Sequence, residues 1–139
     1  MRNIFQFLFL LILITVFSCE DSEYSTNCDE CRGDEPVEAV LSARLDDDYY
    51  AGGILIKLYE GKISDNVLYD SVRVFSSRKY EKRVPLYKQY TITATYIIDG
   101  KTYTITDSTT PKVKYTETLC DEPCYFVYNR KLNLTIKYL

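Results

Sequence analysis

Five cysteines and no histidine bound the chemistry open to this 139-residue chain. Cys28-Asp-Glu-Cys31 and Cys120-Asp-Glu-Pro-Cys124 form two clusters, and Cys19 stands apart. Without an imidazole, neither a Ser-His-Asp or Cys-His relay nor a histidine-ligated zinc, copper or haem site can be assembled. The clustered thiols have two structural readings. Four thiols in an oxidising compartment read as disulfides, for which three pairings exist. Bridges between the clusters are favoured: a bridge within a cluster closes a small strained ring, whereas joining distant clusters restricts the unfolded chain far more. The same spacing also suits a four-thiolate zinc site, the second reading. Acidic neighbours Asp29, Glu30, Asp121 and Glu122 disfavour thiolates and argue against a reactive redox pair.

Weaker polar motifs surround them. Arg32-Gly33-Asp34 spells an adhesion tripeptide, but three residues are a low-specificity signal in any charged loop. Asp46-Asp47-Asp48, before Tyr49-Tyr50, lacks the alternating oxygen spacing of a calcium loop and reads as a solvated turn. Arg78-Lys79-Tyr80-Glu81-Lys82-Arg83 reads as a solvated basic loop. Asn133-Leu134-Thr135 fits an N-glycan sequon but falls in an expected strand. The chain has 14 tyrosines and no tryptophan, so sugar stacking would proceed without the best stacking ring. A formal net charge of −3 gives no general attraction for phosphate backbones, and no nucleic-acid partner is expected.

Three segments are expected to position these residues. Ile4 to Phe17 is an apolar run broken only by Gln6 and Thr15, behind Met1-Arg2-Asn3. That is too short to span a bilayer comfortably and reads as a secretory leader over residues 1–18. Residues 19–36 form an acidic tether: eight acids against one base lie between Glu20 and Glu38, while the rest of the mature chain holds 15 bases and 12 acids. Extended and mobile chain is expected there unless the cysteines fasten it. Residues 37–139 show period-two alternation rich in Tyr, Thr, Val and Ile with no helical period, which predicts an all-β, antiparallel sandwich of about seven strands.

The clearest unit is Tyr90 to Ser108, where Asp99-Gly100 predicts a two-residue type I′ turn. The register then pairs Ile98 with Lys101, Tyr96 with Tyr103 and Ala94 with Ile105 on a core face. It pairs Thr95 with Thr104 and Thr93 with Thr106 on a wet one. Further strands are expected at 38–45, 53–60, 68–75 and 113–118. Tyr125 to Tyr128 should form a last hairpin with Lys131 to Leu139 through Asn129-Arg130.

Val16-Phe17-Ser18-Cys19 resembles a bacterial lipobox, which implies a thioether diacylglycerol on Cys19 and attachment to a membrane. Glu20-Asp21-Ser22-Glu23 behind it resembles the export signal of surface lipoproteins of the Bacteroidota, implying an outer-membrane, cell-surface location. Asp70-Ser71-Val72 and Asp107-Ser108-Thr109 resemble the O-glycosylation acceptors of that group, with Ser71 and Ser108 as acceptors; strand-end polar residues are the alternative. Ile54 to Gly61, with Val84-Pro-Leu86 leading to Tyr90-Thr-Ile-Thr-Ala94, is similar to prealbumin-like and carboxypeptidase-regulatory-like sandwiches. Fibronectin type III and other immunoglobulin-like sandwiches are close competitors. These resemblances imply a non-catalytic binding or structural module of the cell envelope, with an envelope protein or polysaccharide as partner, no cofactor and no catalytic residue. The alternative is a carbohydrate-active or carbohydrate-binding accessory relying on carboxylates and tyrosines.

Overall fold

The computed structural model describes residues 27–46 and 52–137. Period-two alternation becomes strands: β1 (Glu38–Arg44), β2 (Ile54–Glu60), β3 (Leu68–Val74), β4 (Lys79–Pro85), β5 (Tyr90–Ile98), β6 (Lys101–Thr109), β7 (Lys112–Thr116), β8 (Cys124–Tyr128) and β9 (Lys131–Asn133). A four-stranded sheet, in the order β3-β2-β5-β6, packs on a three-stranded sheet, β4-β1-β9, and β7 with β8 forms a separate ribbon. The fold is an all-β sandwich with nine strands among the described residues, against the seven or so expected.

The core follows from the alternation. Leu41 and Ala43 of β1, Ile54, Ile56 and Leu58 of β2, and Ile92, Ala94 and Tyr96 of β5 all point between the sheets and are fully buried. Each such aliphatic side chain stabilises the fold by roughly 1.5–3 kcal/mol relative to exposure. At the start of β2 the packing is tight enough to demand glycine. Gly53 has φ +70, and a Cβ there would meet the Phe75 ring at 2.8 Å.

The β5–β6 hairpin has the register that its sequence predicts, from Ile98↔Lys101 to Thr93↔Thr106. Asp99 and Gly100 both have positive φ, as a type I′ turn requires. The outer face is drier than expected at Thr91 and Thr93, which are buried because β5 lies between β2 and β6. Tyr96 shows how a polar atom is accommodated in the core. Its hydroxyl donates to the Leu134 carbonyl at 2.6 Å and accepts from the Asp46 N–H at 3.2 Å, tying β5 to the chain beyond β9. Tyr96→Phe should therefore cost about 1–2 kcal/mol in urea unfolding, with little change in the native fold, because two backbone groups lose a partner.

Two sequence expectations are corrected. The basic stretch Arg78 to Arg83 is not a loop: most of it is β4, paired antiparallel with β1 from Arg44↔Lys79 to Glu38↔Pro85. Its alternation is disguised because Lys82 occupies an inward position between Tyr80 and Val84. This is tolerable at a sheet edge, where the ammonium reaches Asp70 at 3.1 Å. The C-terminal hairpin does not form either. Asn129 has positive φ but Arg130 does not, so the type I′ geometry fails. β8 pairs with β7, and β9 crosses to pair in parallel with β1, Ser42↔Lys131 to Arg44↔Asn133. Burial of Leu132 and Leu134 in the core drives this choice, and it makes the three-stranded sheet mixed rather than purely antiparallel. Finally, with four strands facing three, β3 is incompletely covered, which leaves Val72 on its inner face partly exposed.

Candidate functional site

The acidic tether is fastened from Cys28 onward. Asn27 caps a short 3-10 turn, Cys28–Glu30, its side-chain oxygen accepting from the Asp29 N–H at 3.3 Å. Disulfides Cys28–Cys120 and Cys31–Cys124 bracket this turn, with Cα separations of 5.7 and 5.6 Å. Immediately after, Arg32 forms a two-way backbone bridge with Tyr125 of β8: Arg32 N–H to Tyr125 O at 2.9 Å and Tyr125 N–H to Arg32 O at 2.7 Å. The chain then runs through Pro36 into β1. Residues 28–37 are thus an arch between the β7–β8 ribbon and the three-stranded sheet.

Beneath the arch lies a half-open groove of about 680 Å³. Its arch side is acidic, with Asp29, Glu30, Asp34 and Glu35, and its opposite walls bring Arg83, Arg130, Tyr125, Val127 and Val40. Glu30 pairs with Arg130, and Glu38 with Arg83 at 3.8 Å. The hydrogen bond from Arg130 holds the Glu30 carboxyl below its ordinary pKa against the opposing effect of burial. Among the described residues no ion pair engages Asp29, Asp34 or Glu35. A groove with charged rims and a partly apolar floor is suited to holding a length of polymer chain; bridges between the clusters are expected to fasten the tether, but the groove beneath it is not legible in the sequence.

The two Asp-Ser motifs occupy equivalent places at opposite edges of the four-stranded sheet. On β3, Asp70 Oδ1 accepts from the Ser71 N–H at 3.0 Å, and Oδ2 accepts from the Tyr80 hydroxyl at 2.7 Å and lies 3.1 Å from the Lys82 ammonium. On β6, Asp107 Oδ1 accepts from the Ser108 N–H at 2.8 Å and Oδ2 from the Asn133 N–H at 2.9 Å. Each aspartate therefore clamps one sheet to the other and leaves the following serine exposed on the outer face. The Tyr80 hydrogen bond, aided by Lys82, lowers the Asp70 pKa, while burial and Asp70 raise that of Tyr80.

The structure brings together Cys28, Cys31, Cys120 and Cys124, and it decides between their two readings. The sulfurs of Cys31, Cys120 and Cys124 lie within 4.8 Å of one another, yet all four cysteines are oxidised to disulfides, so the zinc reading is corrected: no thiolate remains to ligate a metal. Cys19, the leader and the acidic run 20–23 lie outside the described residues, as do Asp47 to Tyr50. Asp46 accepts from the Ile136 N–H at 3.3 Å. In the Arg32-Gly33-Asp34 tripeptide the Arg32 backbone is committed to Tyr125, and Gly33 and Asp34 are exposed on the arch. No known family model, curated protein or solved structure matches this chain.

Proposed function

We propose that the chain is a lipid-anchored envelope protein, acylated at Cys19 and held on the outer membrane, facing outward, where its sandwich acts as a non-catalytic binding or structural module. The observation that carries this reading is the pair of disulfides joining the acidic segment to the sandwich. Disulfides of this kind persist where thiols are oxidised, outside the cytosol. The lipobox-like residues Val16 to Cys19 supply the anchor. From Cys19 to the first stapled cysteine is nine residues, at most about 30 Å of extended chain, so the arch and its groove would be displayed close to the membrane surface.

The test is chemical. Expressed with its leader in a diderm bacterium, the protein should partition into detergent, and its N-terminal peptide should carry diacylglycerol on Cys19. Cys19→Ser should move it to the aqueous phase. An unmodified Cys19 in a soluble product would refute the anchor. Polysaccharide turnover abolished by one Asp or Glu substitution would favour the carbohydrate-active alternative instead.

A further inference from the structure

Backbone directions on the groove walls show what it lacks. On β8 the Tyr125 N–H and C=O both face Arg32. Successive strand residues point their backbone groups to alternate sides, so Val127 directs its own N–H and C=O the same way, toward the groove it lines. On β1, Val37 and Leu45 bond residues flanking β4: Leu86 N–H to Val37 O at 3.2 Å and Leu45 N–H to Arg78 O at 2.8 Å. Ser42 and Arg44 bond on the opposite side, toward Arg130 and Leu134, and Glu38 and Val40 share their parity. Yet β9 begins at Lys131, opposite Ser42, so no described strand reaches Glu38 or Val40 on that side. Two open strand edges border one groove.

We propose that this groove accepts an extended, basic peptide segment of a partner protein as an added strand, paired with the backbone of Val127 and Val40. The inference rests on the binding-module reading and names its partner class. Strand addition takes its affinity from main-chain hydrogen bonds and its selectivity from the flanking side chains. Here those are Asp29, Asp34 and Glu35, three acids that no described ion pair neutralises, against a single groove cation in the same position, Arg32, whereas Arg83 and Arg130 already face Glu38 and Glu30. The rim therefore selects positive charge.

Detergent-solubilised full chain, with its disulfides intact, would be titrated with a fluorescein-labelled heptapeptide alternating Lys or Thr with Val. Controls are the same peptide with Glu for Lys and one with Pro at alternate positions. Saturable binding of the basic peptide is expected, with slowed amide exchange at Val127 and Val40, and about tenfold weaker binding of both controls. Val127→Pro, which removes an N–H facing the groove rather than β7, should weaken binding by about tenfold with an unchanged near-UV spectrum. Asp34→Lys with Glu35→Lys tests the rim without touching the backbone and should reverse the preference to the acidic peptide. Equal binding of all three peptides, or none to millimolar concentration, overturns the proposal; so does binding that leaves those two amides unprotected. A detergent-partitioning, lipidated protein that ignores every peptide would sink the groove and leave the anchor standing. An unlipidated protein that binds the basic peptide would do the reverse.

Discussion

Replacing Cys28, Cys31, Cys120 and Cys124 together by serine should lower the unfolding free energy by roughly 5–7 kcal/mol, a large part of what holds a domain of this size together. The bridges span 92 and 93 residues. The first to form closes a loop worth about 4.5 kcal/mol of unfolded-chain entropy; the second then closes only the small ring between the clusters, worth about 2 kcal/mol. Deleting Cys31–Cys124 alone should therefore cost about 2 kcal/mol, far less than half the total. Urea unfolding of the oxidised wild type, the Cys31→Ser/Cys124→Ser pair and the four-serine variant would show this order. In the four-serine variant the Arg32 and Tyr125 amides should exchange faster than the sandwich, since among the described residues that backbone bridge, Glu30–Arg130 and, at its far end, the Leu86 N–H to Val37 bond are what still hold the arch. An unchanged midpoint for the four-serine variant would mean that the staple positions the arch without stabilising the fold.

The second large effect belongs to the aspartate clamps. Asp70→Ala should cost about 2 kcal/mol, because the Tyr80 hydroxyl, the Lys82 ammonium and the Ser71 N–H lose one acceptor. Asp107→Ala should cost a similar amount through the Ser108 and Asn133 N–H groups, and, the sites being at opposite edges of the sheet, the double variant about 4 kcal/mol. Ser71→Ala with Ser108→Ala should stay within about 0.5 kcal/mol in unglycosylated protein, since among the described residues their hydrogen bonds run through the backbone and not the hydroxyls. Acid should act through the same clamp. The Asp70 carboxyl has a folded pKa below its ordinary value of 3.8, so its contribution is present above about pH 4 and is lost as pH falls through the lower folded value. Asp70→Ala should flatten the stability profile below pH 4. An unaltered acid limb in that variant would assign acid sensitivity elsewhere.

These clamps also show where local sequence reading stops. Asp-Ser-Val and Asp-Ser-Thr are visible as motifs, but whether they matter through the serine or through the aspartate depends on what the opposite sheet offers, and Tyr80, Lys82 and Asn133 are remote from them in the chain or in register. The basic stretch that became β4 is a similar case. Lys82 breaks a hydrophobic alternation and signals a loop, until the fold supplies an edge position and a carboxylate for it.

What the residues determined by themselves is local. Alternation with period two set the strands and their buried faces, Asp99-Gly100 set the hairpin register residue for residue, and four clustered thiols set a choice between bridges and metal. Side-chain direction along a strand and the φ a turn demands are properties of neighbours in sequence, so they can be read there. The tertiary structure alone decided that β9 lies parallel to β1, that β8 joins β7, and that an acidic tether becomes an arch over a groove. Those outcomes depend on which distant surfaces bury Leu132 and Leu134 and which sulfurs come within bonding reach, and such long-range competition between burial and loop closure leaves no mark on the residues of any one segment.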